Sequence, residues 1–315
     1  PVEASSYLDE PVLPGLAELL RADWPFEAER ITVVDGAMDA LELIIATHLR
    51  FGDKVAVEDP CFPPLLDLLD AVGAHPIPVA LDEQGARPDD VRAAVAAGAS
   101  AVFLQPRGQN PTGVTMTAER VAELAEILGP TGIVVIEDDS LGSIAMSQDI
   151  SLGRLLPETT LHVRSYSKSH GPDLRLAALG GPLALVQPIV DRRFLGQGWT
   201  SRLLQQVLVH LLTDETSRDT VADARRQYAA RRDAVTSRLA DRGLTVGGTD
   251  GVNIWVPVED ETAALLLLAS RGIGASSGSP FMVRGGQQPH IRITTGLVRD
   301  DVDLVADAIA QAAGA

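Results

Sequence analysis

RSYSKSHGPDLR, residues 164–175, sets one lysine, Lys168, among hydroxyls and glycine. The segment LHVRS that leads into it is apolar and strand-like, and Gly171-Pro172 beyond it reads as a turn rather than a helix. Arg175 follows seven residues after the lysine. Lysine is ordinarily a surface residue, so chance is one reading of this placement. The other is that a buried strand presents the Lys168 amine at its end, ready to react with a ligand.

Working outward, apolar runs rich in β-branched residues alternate with stretches of helical period. The strand candidates are KVAVED (54–59), HPIPVA (75–80), SAVFLQ (100–105), GIVVIED (132–138), TLHVRS (160–165) and LAALGG (176–181). Helices such as AMDALELIIATHLR (37–50) and MTAERVAELAEIL (116–128) separate them. This alternation predicts an α/β fold with a mostly parallel central sheet covered on both faces. A long polar helix over 215–242 then leads to a smaller C-terminal α/β unit, with strands near 252–257 and 290–295 and helices near 261–271 and 300–313. The expected division is an N-terminal segment (1–30), a large domain (31–225) and a small domain (226–315).

Composition narrows the classes. The chain has 315 residues, 45% hydrophobic and 22% charged, and no apolar run near the ~18 residues of a membrane span. A single cysteine, Cys61, excludes a disulfide framework and favours a reducing, cytoplasmic setting. A net charge of −17 without a basic cluster argues against nucleic-acid binding through this chain. The sequence starts at Pro1 without a signal-like segment, and a preceding stretch of polypeptide is expected. No metal site is expected.

In open parallel sheets ligands bind beyond the carboxyl ends of the strands. Four such ends stand out. In TVVDGAMDAL (32–41) a strand and a tight turn precede a helix whose first free amides, of Ala37 and Met38, suit a phosphate. Asp35 there also reads as an ordinary N-cap. In VEDPCFPP (57–64) two prolines bracket Phe62, which either stacks on a planar ligand or plugs the core. In FLQPRGQNPTG (103–113) a rigid Asn-Pro turn aims the Asn110 amide back over the strand ends. In VVIEDDS (134–140) Asp138 ends a buried strand, where a carboxylate needs a cation or a hydrogen-bonded site. An amine, a carboxylate, an amide, an aromatic ring, a phosphate-ready helix start and an arginine together suit pyridoxal 5′-phosphate.

The ordered set DGAMDAL, EDPCF, QNPTG, IEDDS, SYSK and GPDLR, followed by HIRITTG, resembles the class I/II aminotransferases of the pyridoxal-phosphate-dependent transferase fold type I. The wording QPRGQNPTG, SKSHGPDLR and SRLLQQ further resembles the aminotransferase-like effector domain of MocR-type regulators in the GntR group. The resemblance runs from about Tyr7 to about Ala308. It implies that Lys168 is the Schiff-base lysine and general acid/base, that Asp138 pairs with the pyridinium nitrogen, that Asn110 meets the phenolic oxygen and that Phe62 stacks on the ring. It assigns the phosphate to the amides of Ala37 and Met38, the hydroxyls of Ser165 and Ser167, and Arg175. Arg292 matches the clamp for a substrate α-carboxylate, and also reads as an ordinary strand arginine paired with an acid. Tyr7 resembles the tyrosine that reaches the partner's phosphate across a homodimer, although SYLDEPVLPG is spaced more loosely than that pattern.

Ser140 departs from the family, which commonly carries a tyrosine, or in some regulators a histidine, at the position that contacts the cofactor oxygen. Two readings follow. One is an effector-sensing domain of a transcription factor, with the cofactor or its amino-acid adduct as signal, little turnover, and a DNA-binding domain ahead of Pro1. The other is a working aminotransferase that moves an amino group between an amino acid and a 2-oxo acid; a lyase or decarboxylase of the same fold is a third. The wording of the motifs and Ser140 favour the regulator. The loop 276–289, rich in Gly and Ser, is expected to be mobile.

Overall fold

The computed structural model describes residues 6, 7 and 9–314. Eight strands form the large sheet: β1 (Arg30–Val34), β2 (Lys54–Asp59), β3 (His75–Asp82), β4 (Gly85–Ala86), β5 (Ala99–Leu104), β6 (Val134–Asp139), β7 (Thr160–Ser165) and β8 (Ala177–Gly181), in the order β1-β8-β7-β6-β5-β2-β3-β4. Ten helices complete the described fold: α1 (Pro14–Ala22), α2 (Ala37–His48), α3 (Pro63–Ala71), α4 (Pro88–Ala96), α5 (Ala118–Leu128), α6 (Leu183–Phe194), α7 (Arg202–Thr213), α8 (Glu215–Ala240), α9 (Glu261–Ser270) and α10 (Val302–Ala313). A second sheet holds β9 (Asn253–Pro257), β10 (Ser276–Ser277) and β11 (His290–Thr294) in the order β10-β11-β9. The expected boundary at 225/226 falls inside α8, which runs unbroken past it. No helix among the described residues is long and apolar enough to cross a membrane.

Neighbours from β3 through β2, β5 and β6 to β7 pair in parallel. β8 is antiparallel to both β7 and β1. The reason is the length of the connection. A parallel return needs a crossover of about a dozen residues or more, usually a helix. Between Ser165 and Ala177 the chain has room only for the lysine loop, so it folds straight back. Strands β1, β2, β5, β6 and β7 therefore all end on the same edge of the sheet as Lys168.

Both faces of the sheet are covered, and side chains alternate between them. On β5, Ala101 and Phe103 pack with Leu41, Ile44 and Leu65 on one face, while Val102 and Leu104 pack with Val121 and Leu124 on the other. The small sheet has a separate core against α8, α9 and α10, built from residues such as Val235, Ile254, Leu268, Ile291 and Ile309.

The same alternation sorts the three consecutive acids of β6. Glu137 and Asp139 point one way and Asp138 the other. In the register of β6 with β7, Glu137 lies opposite His162 and Asp139 opposite Arg164, whereas Asp138 lies opposite Val163. Glu137 accepts hydrogen bonds from Ser151 Oγ (2.5 Å) and the Leu152 amide (2.6 Å), and lies 2.8 Å from His162 Nδ1. Asp139 receives Arg107 through Nη2 (2.5 Å) and Nε (3.2 Å), and Arg107 also pairs with Asp149 (2.5 Å). Burial alone would raise the Asp139 pKa, but the neighbouring Arg107, His162 and Arg164 hold it below the usual carboxylate range.

Two tests follow from these buried charges. Arg107→Ala leaves Asp139 buried without its main partner and is expected to lower stability by about 3–5 kcal/mol in urea unfolding; a loss under ~1 kcal/mol would mean that the network carries little weight. Glu58, at the end of β2, is pushed up to about 8 by burial. A carboxyl raised in the folded state stabilises fully below its ordinary value of 4.5, and that contribution is lost as pH rises through about 8. Between pH ~5.5 and ~8.5 the wild-type chain should lose ~3 kcal/mol relative to Glu58→Gln, read from urea midpoints of both proteins.

Candidate active site

A cavity of about 350 Å³ opens at the carboxyl edge of the large sheet, bounded on its far side by the small sheet. Its lining gathers Ala37, Met38, Phe62, Asn110, Asp138, Ser140, Ser165, Ser167, Lys168, Arg175 and Arg292. Of the residues singled out in the sequence, only Tyr7 lies elsewhere. It is 88% exposed, with its ring 5.6 Å from that of Trp199 in an edge contact.

Asp138 is buried at the end of β6. Its Oδ2 accepts a 2.7 Å hydrogen bond from Gln105 Nε2, while Oδ1 is buried with no partner. Burial raises its pKa, opposed by the Gln105 hydrogen bond and the charge of Lys168. An ionised carboxylate with one oxygen unsatisfied is costly, so this site is built for a cationic N–H that the protein itself does not supply.

Lys168 donates from Nζ to Ser140 Oγ at 3.1 Å. Its pKa is lowered, first by desolvation and further by Arg292, against the opposing pull of Asp138 and Asp139. The amine is reachable from the cavity and biased toward its neutral, nucleophilic form. Ser140 therefore reaches the lysine directly.

The Asn-Pro turn after β5 is pinned by Gln105, whose Oε1 accepts from the Asn110 amide at 2.8 Å. Asn110 Oδ1 accepts from Asn253 Nδ2 and from Arg292 Nη1, both at 3.3 Å. The Asn110 side-chain N–H groups, with no partner among the described residues, remain for the cavity.

Arg292, on β11, makes no ion pair among the described residues, so the reading of an arginine paired with an acid does not hold. Its Nη2 donates to Ser276 Oγ (3.2 Å), its guanidinium lies 5.3 Å from the Phe281 ring centre, and its Nε is buried without a partner. Burial lowers its pKa, and an anion would relieve that cost.

At the start of α2 the N-cap is Gly36, with φ at +106°, and not Asp35. Asp35 instead pairs with Arg193 at 2.9 Å, and its amide donates to Asp39 Oδ2 at 2.8 Å. The positive φ of Gly36 is a conformation that residues with a Cβ rarely adopt, and its bare backbone lies close to the Arg175 guanidinium, beside the free amides of Ala37 and Met38. Arg175 itself adopts a left-handed backbone (φ +49°) and has no acidic partner among the described residues. Ser165 Oγ accepts from the Ser167 amide at 3.3 Å, which folds the loop so that both hydroxyls border the same corner. Phe62, at the N-cap of α3, is half-buried and borders this cavity on one side and the apolar Leu41, Cys61, Leu65 and Phe103 on the other.

The sequence reading passed over Gln105, Asn253 and Thr294. Gln105 had a local signal, a polar residue closing a buried apolar strand. Asn253 and Thr294 had none. They are opposite one another on β9 and β11, joined by a 2.9 Å hydrogen bond, and reach the cavity only through the placement of the small sheet. The loop 276–289 is tied at both ends and does not hang free. Asp59 accepts from the amides of Val283 (2.9 Å) and Arg284 (3.3 Å) and from Gln287 Nε2 (2.6 Å), and Glu261 accepts from Ser277 and Ser279.

An orphaned carboxylate oxygen, a phosphate-sized corner of amides, hydroxyls and a free arginine, and an amine between them fit pyridoxal phosphate. Comparison with known proteins agrees. The pattern of aminotransferase class I and II matches residues 8–309. The vitamin B6 salvage pathway transcriptional repressor PtsJ of Salmonella typhimurium is 35% identical over 97% of this chain and 72% of its own length. A probable N-acetyl-LL-diaminopimelate aminotransferase of Bacillus subtilis is 25% identical over 84% of this chain and 70% of its own. Among solved structures, the α-aminoadipate aminotransferase LysN of Thermus thermophilus, complexed with N-(5′-phosphopyridoxyl)-L-leucine, superposes with a TM-score of 0.87 at 20% identity, over 98% of this chain and 83% of its own. The chain belongs to the class I and II aminotransferase family.

Proposed function

We propose that this chain is a pyridoxal-phosphate-binding sensor domain of a transcriptional regulator, cytoplasmic and homodimeric, that recognises an amino acid or related amine with little turnover. The observation that carries the cofactor assignment is the buried, unpartnered Oδ1 of Asp138 in the same cavity as the Lys168 amine. The likeness to PtsJ supports the regulatory reading. With a net charge of −17, this chain itself is not the DNA-binding part, and that role is proposed for polypeptide outside it.

When bound, pyridoxal phosphate supplies an electron sink for the pair released at the α-carbon of an amino acid. In this reading Lys168 would hold the cofactor through its Nζ until an amine ligand displaces it, and the released amine, its pKa lowered by desolvation, would be placed to take the α-proton. Asp138 keeps the ring nitrogen protonated, which also satisfies its own Oδ1. Asn110 donates to the phenolic oxygen and Phe62 stacks on the ring. Ala37, Met38, Ser165, Ser167 and Arg175 hold the phosphate, joined by Tyr7 from a second copy of the chain. Arg292 clamps the ligand's α-carboxylate. Ser140 acts on the lysine: its Oγ accepts from Nζ at 3.1 Å, a task different from that of a tyrosine or histidine reaching the cofactor oxygen. The exposed Phe194, Leu195, Leu203 and Val207, close in sequence to the Trp199 that Tyr7 touches, support a self-association face.

A working aminotransferase is the second reading, favoured by the assembled Lys168, Asp138, Asn110 and Arg292. Borohydride reduction of the loaded chain followed by peptide mapping should leave the pyridoxyl group on Lys168. Its appearance on Lys54, the only other lysine, or on neither, would remove the central assignment. In sedimentation the chain should run as a dimer. Stopped-flow spectra with alanine, glutamate and γ-aminobutyrate should show ligand binding at the cofactor with 2-oxo acid release well below about 1 s⁻¹, and faster turnover would favour the enzyme.

A further inference from the structure

Ser165 and Ser167 border the cofactor cavity, but Tyr166 between them does not. It lines a separate cleft, on the other side of the lysine loop, where α1, α7 and α8 face the loops after β5 and β6. Two adjoining hollows of about 340 and 320 Å³ make up this cleft, each within the ~300–1,000 Å³ of small-molecule sites. Leu20, Leu212 and Val221 give it an apolar floor.

Four arginines border the cleft, and they are not equivalent. Arg107 and Arg164 are consumed by Asp139, Asp149 and Asp23. Arg218 and Arg225, seven residues apart and so on one face of α8, make no salt bridge among the described residues, although Arg218 lies near enough to Asp214 to help lower that carboxyl's pKa. Arg225 donates one hydrogen bond, from Nη2 to the Met146 carbonyl at 2.8 Å, and its Nε is buried without a partner. Tyr166 is only 4% exposed, and its hydroxyl makes no hydrogen bond among the described residues. Two guanidinium groups without salt bridges and a phenol thus line one cleft beside hydrocarbon, in a chain whose net charge is −17. Arg225 Nε is a buried donor without a partner, and a fork of arginine N–H groups matches the oxygens of a carboxylate or phosphate.

We propose that this cleft is a second ligand site, for a small organic anion with an apolar body. Arg218 and Arg225 hold the anionic group, Tyr166 adds a hydrogen bond, and the leucine floor takes the body. It shares no lining residue with the cofactor cavity, so it stands or falls independently of the function proposed above. Because Tyr166 is two residues before Lys168, a ligand here would press on the loop that carries the reactive amine.

Titration calorimetry on the chain loaded with pyridoxal phosphate, which keeps added phosphate out of the cofactor cavity, tests this with phenyl phosphate and benzoate as probes. One site per chain is expected for at least one probe, and the preferred probe identifies whether phosphate or carboxylate is read. Arg225→Gln should weaken binding about tenfold or more, and Tyr166→Phe several-fold. Arg218→Glu, a change at an exposed helical position, should abolish binding while the cofactor's visible band and the thermal melting point persist. No binding of either probe at millimolar concentration, or an affinity untouched by Arg218→Glu, overturns the proposal.

Discussion

One carboxylate oxygen organises this molecule. Asp138 Oδ1 is buried at the end of a central strand with no hydrogen-bond partner among the described residues, a costly state for a carboxylate that a donor from a bound ligand would relieve. Gln105 deepens the commitment by occupying the other oxygen and, through its own Oε1, fixing the Asn110 turn. One amide side chain thereby sets both the carboxylate that would meet the ring nitrogen and the loop that would meet the ring oxygen. The site is preorganised by backbone and second-layer hydrogen bonds, so ligand binding need not assemble it.

The two-residue period of β6 makes this possible. With Glu137 and Asp139 turned to the opposite face, their charges are absorbed by Ser151, His162, Arg107 and Arg164, and the cavity sees a single carboxylate. A shift of one residue in the register of β6 would point two acids at Lys168 and leave only Asp138 for the arginine network. Two acids on that face would raise the lysine pKa, against the lowering by desolvation and Arg292.

What could be read in the sequence follows from the same physics. Buried parallel strands must be apolar, so β2, β5, β6 and β7 stand out in the sequence, and the polar residues at their ends read as a site from local pattern alone. Residues whose role depends on nonlocal placement left no such trace. Asn253 and Thr294 look like ordinary strand residues until the small sheet is docked over the large one. Asp35 looked like a cap because its sequence context is that of a cap. The glycine after it takes that position because the turn runs through a positive φ, and its nearness to Arg175, a contact between residues 36 and 175, is invisible to local pattern. The loop 276–289 misled for a related reason: Gly and Ser content reports backbone freedom, whereas its order comes from Asp59 and Glu261 far away in the chain.

Ser140 and Tyr166 together bear on how such a fold can sense rather than turn over. An aromatic or imidazole side chain after the acidic strand would be large enough to engage the cofactor oxygen, whereas a serine hydroxyl reaches only the lysine amine. The Lys168 amine is then governed by its immediate hydrogen bond, by desolvation and by Arg292, and an anion beside that arginine would offset the last of these. The lysine loop is gripped from its other side by Tyr166, buried against α1 and α7 in a cluster distinct from the one beneath the cofactor. A ligand in the cleft beside Tyr166 would therefore act on the loop that carries Lys168 from the face opposite the cofactor cavity, an arrangement that suits a sensor, which must report occupancy, better than an enzyme, which must release its product.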